Sequence, residues 1–351
     1  MPREWDLIVI GGGPGGAAAA AVAAVAGLET LLLERGGTLR HKPCGGILPE
    51  ITEELIEEVF GATLPPEVLA EQWELRLRYT PPSGEANGGR VRESRLLNVK
   101  RDHFDQWLRD RAVLAGVTVR QNARVSDVEA NGGFSVSYSQ RGEERRATAA
   151  RLVGADGVHS LVRRRLAPNA VAPKMLVGQR LVQVAGELPA DFHCVFAGML
   201  SPFYAYSVPK GRLLKIGSGM TEEERTDLMP SLDRFSEWLE QNGVADLGEV
   251  VQQEGWAIPF GEQQLDAAGA LLVGDAAGLC NPLSGEGIRL AIESGQLAAE
   301  AIIEAGLRSP VPDYRDGVTG IAQMVAALHR VVLTTDDDAR EQFVAAELAR
   351  P

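Results

Sequence analysis

"DLIVIGGGPGGAAAAAVAAVAGLETLLLERGG", residues Asp6 to Gly37, decides the fold. Asp6 to Ile10 is a short apolar run of the buried-strand type that breaks off into glycines and Pro14. An almost unbroken Ala/Val run from Ala17 to Gly27 follows, then a second apolar run closing on Glu34. Strand, glycine-rich turn, helix and strand make one unit carrying Gly11-x-Gly13-x-x-Gly16. Such glycines permit a tight turn and bring a pyrophosphate close to a helix N-terminus, while an acid placed like Glu34 accepts hydrogen bonds from a ribose. The stretch predicts a dinucleotide site. A carboxylate at Glu34 also repels a 2′-phosphate, which favours FAD or NAD over NADP as the ligand of this turn.

The Ala/Val run is too short for a membrane span, which needs roughly 18 apolar residues. Glu4 and Asp6 stand where a secretory signal would be basic, so no signal peptide is expected. A chain of 351 residues favours about two domains, and 45% apolar with 24% charged residues is an ordinary globular composition. The net charge of -13 argues against nucleic acid as a partner, because phosphates need a concentrated positive face. Three cysteines, Cys44, Cys194 and Cys280, are odd in number and far apart, which suits a reducing, cytoplasmic compartment. The five histidines show no metal-ligand spacing, and no CxxC, HExxH, P-loop or nucleophile elbow occurs, so no metal site is expected.

Outward from the first unit, residues 45–97 are rich in turns, including "TPPSGEANGG" at Thr80 to Gly89, and read as an insertion. A helix from about Phe104 to Ala115 repeats apolar residues at Phe104, Leu108, Ala112 and Ala115. Short strands near 117–120 and 124–130 follow, and Asn131-Gly132 and Arg141-Gly142 predict hairpin turns into 133–140 and 144–149, a small antiparallel meander. In "RLVGADGVHSLVRRRL", Arg151 to Leu166, a buried strand at Leu152–Val153 runs into Asp156-Gly157, Ser160 and a basic cluster. The same grammar returns from Leu271 to Gly278, where a strand ends in Gly274-Asp275. Beyond it Ile288, Ile292, Gly295, Ala299 and Ile302 predict a helix with one buried stripe. Alternating segments in 166–260 predict an antiparallel sheet, with a helix over Ser231–Gln241. The tail reads as a solvated acidic turn and a short terminal helix.

Three of these stretches, "GGGPGG" with Glu34, "GADGVHSLVRR" and "GDAAGLCNPLSGEGI", resemble the flavoprotein family of the p-hydroxybenzoate hydroxylase fold, in its order and across most of the chain. Two more, "KPCGG" at Lys42–Gly46 and "YAYSVPKG" at Tyr204–Gly211, resemble its geranylgeranyl reductase branch, which carries Lys-Pro-Cys-Gly-Gly and Tyr-x-Trp-x-Phe-Pro-Lys. Tyr206 replaces the Trp and Val208 the Phe, which bears on the shape of the substrate cavity. The resemblance implies an α/β fold: a Rossmann-type FAD-binding domain with a parallel sheet and small antiparallel meander, plus an inserted antiparallel-sheet substrate domain. We divide the chain accordingly into FAD-binding segments 1–44, 98–165 and 261–330, substrate-domain segments 45–97 and 166–260, and a tail, 331–351.

By the same resemblance FAD is the cofactor. Gly11, Gly13, Gly15, Gly16, Glu34 and Arg35 would receive its adenosine and pyrophosphate, joined by Arg101, Val125, Asp156 and Gly157. Asp275 would accept from the ribityl chain. Pro282, Gly285, Gly287 and Ile288 would offer backbone N–H groups and a helix dipole to the ring, and Cys44 and Gly45 would lie beside it. Arg101 is alternatively a surface arginine, and Asp275 a turn residue. Cys44, Tyr204 and Tyr206 are the catalytic candidates; Cys44 is alternatively a small buried apolar residue. In a strand the two tyrosines share one face, lining a cavity or packing in a core.

The implied activity is hydrogenation of carbon–carbon double bonds in a prenyl lipid. NAD(P)H or a small redox protein would be a transient electron donor, because only one dinucleotide fingerprint occurs. A prenyl substrate implies loose, peripheral contact with a membrane surface, although no basic amphipathic helix is evident. The alternatives are an aromatic monooxygenase of the same fold and a non-catalytic flavin- or lipid-binding protein.

Overall fold

The computed structural model describes residues 4–350; residues 1–3 of the first expected segment and residue 351 of the tail lie outside the described residues. In chain order the helices are α1 (Pro14–Val25), α2 (Ile51–Phe60), α3 (Arg101–Leu114), α4 (Leu161–Leu166), α5 (Leu228–Gln241), α6 (Ile288–Ala305), α7 (Val311–Gly317), α8 (Thr319–Thr334) and α9 (Asp337–Ala349).

The strand Trp5–Ile10 runs through the middle of the first sheet, parallel to Thr30–Leu33 on one side and to Glu143–Gly154 on the other. Thr118–Arg120 and Ala270–Leu272 extend the parallel order outward. Both faces are covered, so the strands are continuous apolar runs rather than alternating ones. Leu7 and Val9 pack against α1, α2, α3 and α6, while Ile8 and Ile10 face the meander, α4 and α8. This is the expected α/β layout with its meander.

The expected strands at 144–149 and Leu152–Val153 are one continuous element, Glu143–Gly154. Its first half pairs antiparallel with Phe134–Gln140, and its second half pairs parallel with Trp5–Ile10. The exposed Arg145 and Arg146 give the first half a surface pattern and Leu152 to Gly154 are buried, so the sequence looks like two elements where the backbone makes one.

α1 is built almost wholly of alanine and glycine because helix backbones meet on it. A Cβ on Gly295 of α6 would lie 2.2 Å from the carbonyl oxygen of Gly15, and one on Gly15 would lie 2.7 Å from that of Ala291. Ile288, Ile292, Gly295, Ala299 and Ile302 are all buried, as their spacing predicts. α2 comes from the turn-rich 45–97 stretch, yet Ile56, Val59 and Phe60 enter the same core.

The second sheet has nine strands in the order Asp246–Pro259, Lys174–Ala185, Leu213–Thr221, Ala205–Lys210, Asp191–Val195, Leu69–Thr80, Leu96–Val99 and Ile47–Pro49, with Gly89–Arg90 paired beside Leu69–Thr80. Only Asp191–Val195 and Leu69–Thr80 pair in parallel; the rest is antiparallel. α5 covers part of it through Leu232, Phe235 and Leu239, and begins at Leu228, a turn before Ser231. Pro230 falls in its first turn, where a missing N–H costs no helical bond.

The tail is not simply solvated. α9 docks on the second sheet: Asp337 accepts from the Gly198 N–H at 2.9 Å, Glu341 accepts from the Ser83 N–H at 3.0 Å, and Val344 is fully buried. Its acidic surface disguises one fully buried anchor, Val344, beside the half-buried Phe343. Among the described residues no single helix is long and apolar enough to cross a membrane; α7 and α8 reach that test only as a pair bent by 55°.

The α1–α6 contact makes a direct prediction. Gly295→Ala should destabilise the protein by about 1–3 kcal/mol through overpacking, whereas Gly320→Ala in α8, where nothing stands within 4 Å, should be neutral or stabilising. Denaturant titration of both variants reads the difference, and equal stabilities would refute a tight α1–α6 contact.

Candidate active site

A cavity of about 550 Å³ opens between the two sheets. It is lined by Gly11, Gly13, Gly15, Glu34, Arg35, Cys44, Gly45, Arg101, Val125, Asp156, Gly157, Asp275, Gly285, Gly287 and Ile288, and by Tyr204 and Tyr206. Gly16 and Pro282 stand outside this lining. A Cβ on Gly16 would lie 1.9 Å from the Gly11 carbonyl oxygen, so its position is taken up by packing within the turn; Pro282 is buried behind its own turn.

The first turn is shaped for close approach. Gly11 has φ +105°, and a Cβ there would lie 2.3 Å from the Ala155 carbonyl oxygen. Glu34 is buried and accepts from the N–H groups of Gly12 and Gly36, each at 2.7 Å, which fixes its carboxylate at the end of its strand. Asp156 accepts from the Leu161 N–H at 2.6 Å and caps α4 with one oxygen. Its other oxygen, Oδ1, is buried without a partner. Burial pushes the Asp156 carboxyl above its ordinary value, against the hydrogen bonds from Ser160, Val162 and Leu161. A backbone cradle that excludes any Cβ and a buried acceptor at the cavity edge both fit a long dinucleotide such as FAD.

Residues that the sequence reading missed hold this turn. Arg109 of α3 is fully buried and donates to the Gly12 carbonyl at 3.0 Å. Asp105, also fully buried, receives Arg101 at 2.7 Å and Arg40 at 3.1 Å. Arg101 is thus a buried side chain facing the cavity, not a surface arginine. Burial works against its charge, but the neighbouring Asp105 and Cys44 raise its pKa. The i,i+4 spacing of Arg101, Asp105 and Arg109 on one helix face was the available signal.

The loop from Arg40 to Gly46 crosses between the sheets and is pinned at several points. Lys42 pairs with Asp275 at 3.1 Å, His41 with Glu254 at 2.5 Å, and Lys215 donates to the Cys44 carbonyl at 3.0 Å. Gly46 has φ +71°, and a Cβ there would lie 2.4 Å from the Val99 carbonyl oxygen, so glycine is required. Behind it lies Lys210, donating to Asn98 and to the Val99 carbonyl. Burial and the neighbouring Lys215 pull the Lys210 ammonium down to about 7. Burial opposes ionisation of Cys44, but Arg101, the Gly46 N–H and Lys42 outweigh it and hold the thiol below its ordinary value.

Asp275 sits where the strand Ala270–Leu272 gives way to a tight turn, and the Gly274 N–H donates to Ser294 of α6 at 3.0 Å. Asn281 accepts from Leu283 and Ser284, folding 281–285 into a compact turn. Gly287 caps α6 without a side-chain partner, so the first N–H groups of the helix meet the cavity at Gly287 and Ile288. Tyr204 donates to the Ser284 carbonyl at 2.6 Å, and Tyr206 receives a hydrogen bond from Gln179. Gly217, opposite Tyr206 in the sheet, leaves room for its ring: a Cβ there would lie 2.3 Å from the Tyr206 ring.

Away from these turns the cavity is walled by Leu77, Tyr79, Leu96, Phe192, Phe196 and Phe343. None of these side chains is charged. Tyr204 and Phe196 have ring centroids 5.6 Å apart, and Phe196 and Phe343 5.5 Å, so the rings continue from the 281–285 turn into this apolar arm.

Comparison with known proteins agrees with this geometry. Residues 4–230 match the FAD binding domain family. The geranylgeranyl diphosphate reductase of Rhodobacter capsulatus is 32% identical, over 97% of this chain and 87% of its own. A geranylgeranyl bacteriochlorophyll reductase-like protein of Thermoplasma acidophilum superposes with a TM-score of 0.84 at 23% identity, covering 99% of this chain and 92% of that one. The p-nitrophenol 4-monooxygenase of Pseudomonas putida shares the fold at a TM-score of 0.74 and 18% identity, covering 99% and 94%. With this fold, a match to the FAD binding domain over more than half its length and a relative 32% identical over nearly all of it, the chain belongs to the geranylgeranyl reductase family of FAD-dependent oxidoreductases.

Proposed function

We propose that the protein reduces carbon–carbon double bonds of a geranylgeranyl-type prenyl lipid. The observation that carries this reading is the single cavity, in which the turns suited to FAD open directly into an uncharged arm of aliphatic and aromatic side chains. A carboxylate substrate would need a fixed cation in that arm, and none of Leu77, Tyr79, Leu96, Phe192, Phe196 and Phe343 carries one, whereas a prenyl chain needs only apolar walls. FAD, when bound and reduced, supplies the hydride equivalent for one alkene carbon.

The chain's own residues do the rest. Glu34 and the Gly11–Gly15 turn would hold the adenosine and pyrophosphate end, with Arg35, Arg101, Val125 and Asp156 around it. Asp275 and the start of α6 would orient the other end, and Lys42 sets the Asp275 carboxylate. The aromatic walls keep water from the alkene. An isolated double bond accepts hydride poorly unless a proton arrives with it, so an acid must stand nearby. Burial pushes the phenols of Tyr204 and Tyr206 well above their ordinary value, so both keep their protons. Cys44 is the one of the three held below its ordinary value, and its Sγ carries the proton. Electrons come from NAD(P)H bound transiently or from a small redox protein, and the lipid is met at a membrane surface.

Two measurements test the reading. Protein reduced with dithionite and mixed without oxygen with a geranylgeranyl lipid should regain oxidised-flavin absorbance while the lipid gains two hydrogens in mass. Flavin that stays reduced with prenyl lipids, yet reoxidises faster in air when a phenol is added, would support the monooxygenase instead. Secondly, an acid that donates as Cys44–SH loses its proton as pH rises through its folded pKa, which lies below the ordinary thiol value of 9.0. Reduction should therefore decline on the alkaline side with a midpoint below that value, and Cys44→Ser should abolish this limb and slow turnover at least about 100-fold. A limb that persists in Cys44→Ser would remove Cys44 as the donor.

A further inference from the structure

Among the described residues, Phe343 is the one cavity-lining side chain that comes from the C-terminal helix. Tyr204 and Tyr206 mark the near end of the apolar arm: Tyr204 donates to the Ser284 carbonyl, and a Cβ on Gly45 would lie 3.9 Å from the Tyr206 ring. Phe196 follows, 5.6 Å from Tyr204 between ring centroids, and Phe343 lies beyond it at 5.5 Å, also 5.7 Å from Tyr79. Among the described residues Phe343 meets Phe196 and Tyr79 but neither tyrosine of the near end, so it lies one ring further from that end than Phe196.

The helix that carries Phe343 is anchored by other residues. Val344 is fully buried, Arg340 donates to the Pro202 carbonyl, Asp337 accepts from the Gly198 N–H, and Glu341 accepts from Ser83. Phe343 itself is only partly buried and faces the cavity. Anchoring and end wall are therefore separate jobs on neighbouring side chains, and the size of residue 343 can change without undocking α9.

Resting on the prenyl-reductase reading, we infer that Phe343 sets the length of prenyl chain the protein accepts, by closing the far end of the arm. A chain whose terminal isoprene unit reaches Phe343 fills the arm. A longer one must displace the ring from Phe196 and Tyr79, and a shorter one leaves apolar wall unfilled. Methylene-sized differences in such a pocket change discrimination by about 10- to 200-fold.

The test compares farnesyl, geranylgeranyl and geranylfarnesyl substrates in the FAD-loaded full-length protein. Phe343→Ala should move the ratio of kcat/KM toward the longest chain by about tenfold or more, and Phe343→Trp should move it toward the shortest. Flavin content and Tm of both variants should match the parent protein. Ratios unchanged within about twofold in both folded, flavin-replete variants would overturn the assignment. Should the parent protein reduce none of the three, the prenyl-reductase reading fails separately. Binding of the same three prenyl alcohols, followed by quenching of tryptophan emission, then still decides whether residue 343 sets chain length: opposite shifts in the two variants support it, and parallel or absent shifts overturn it.

Discussion

The backbone contact between α1 and α6 is the constraint on which the rest of the site depends. Helices that touch through Gly15 and Gly295 have no side chains between them, so their relative position is set by hard contact rather than by adjustable packing. α1 carries the turn and Glu34's partner N–H at one end, and α6 begins at Gly287 beside Asp275. Fixing one helix on the other thereby fixes the two ends of a long cofactor channel with respect to each other. The alanine-rich composition of α1 follows from the same need, since any larger residue on its inner faces would force the helices apart.

A second constraint is charge. The chain is strongly acidic, yet the cavity gathers Arg35, Arg40, Lys42 and Arg101 along one side. Acids hold most of them in place: the buried Asp105 takes Arg40 and Arg101, and the partly buried Asp275 takes Lys42. These pairs give the loop from Arg40 to Gly46 a fixed course between the sheets, and Lys215 ties its Cys44 carbonyl to the substrate side. Two of these cations, Arg101 and Lys42, also lower the Cys44 thiol, so part of the loop's fixation and the acidity of this residue share a cause.

What the sequence revealed was mainly backbone geometry. Glycines at Gly11, Gly13 and Gly15, the strand ends at Glu34, Asp156 and Asp275, and the stripe on α6 are local patterns; the structure brings the glycines and strand ends to one cavity and the stripe to the core beside it. Tyr204 and Tyr206 could be placed on one face by alternation alone. Three things were not legible. Lys42 with Asp275 and Lys215 with Cys44 are separated by well over a hundred residues, and no local pattern announces such a pair. The strand Glu143–Gly154 changes its environment halfway along, so periodicity divides what the chain keeps whole. The contribution of α9 depends on where the helix docks, and the few apolar residues of an otherwise polar segment, among them Val344 and Leu348, carry little of that information.

The central claim is that one cavity joins an FAD channel to an apolar arm ending at Phe343. The most direct measurement is a crystal structure of the FAD-loaded protein with a prenyl lipid bound. The account predicts adenosine at Glu34, the flavin ring beside Cys44 and the start of α6, and the prenyl chain running past Tyr204 and Phe196 to Phe343. A prenyl chain lodged outside the arm, or a flavin ring lying away from Cys44 and Gly287, would contradict it.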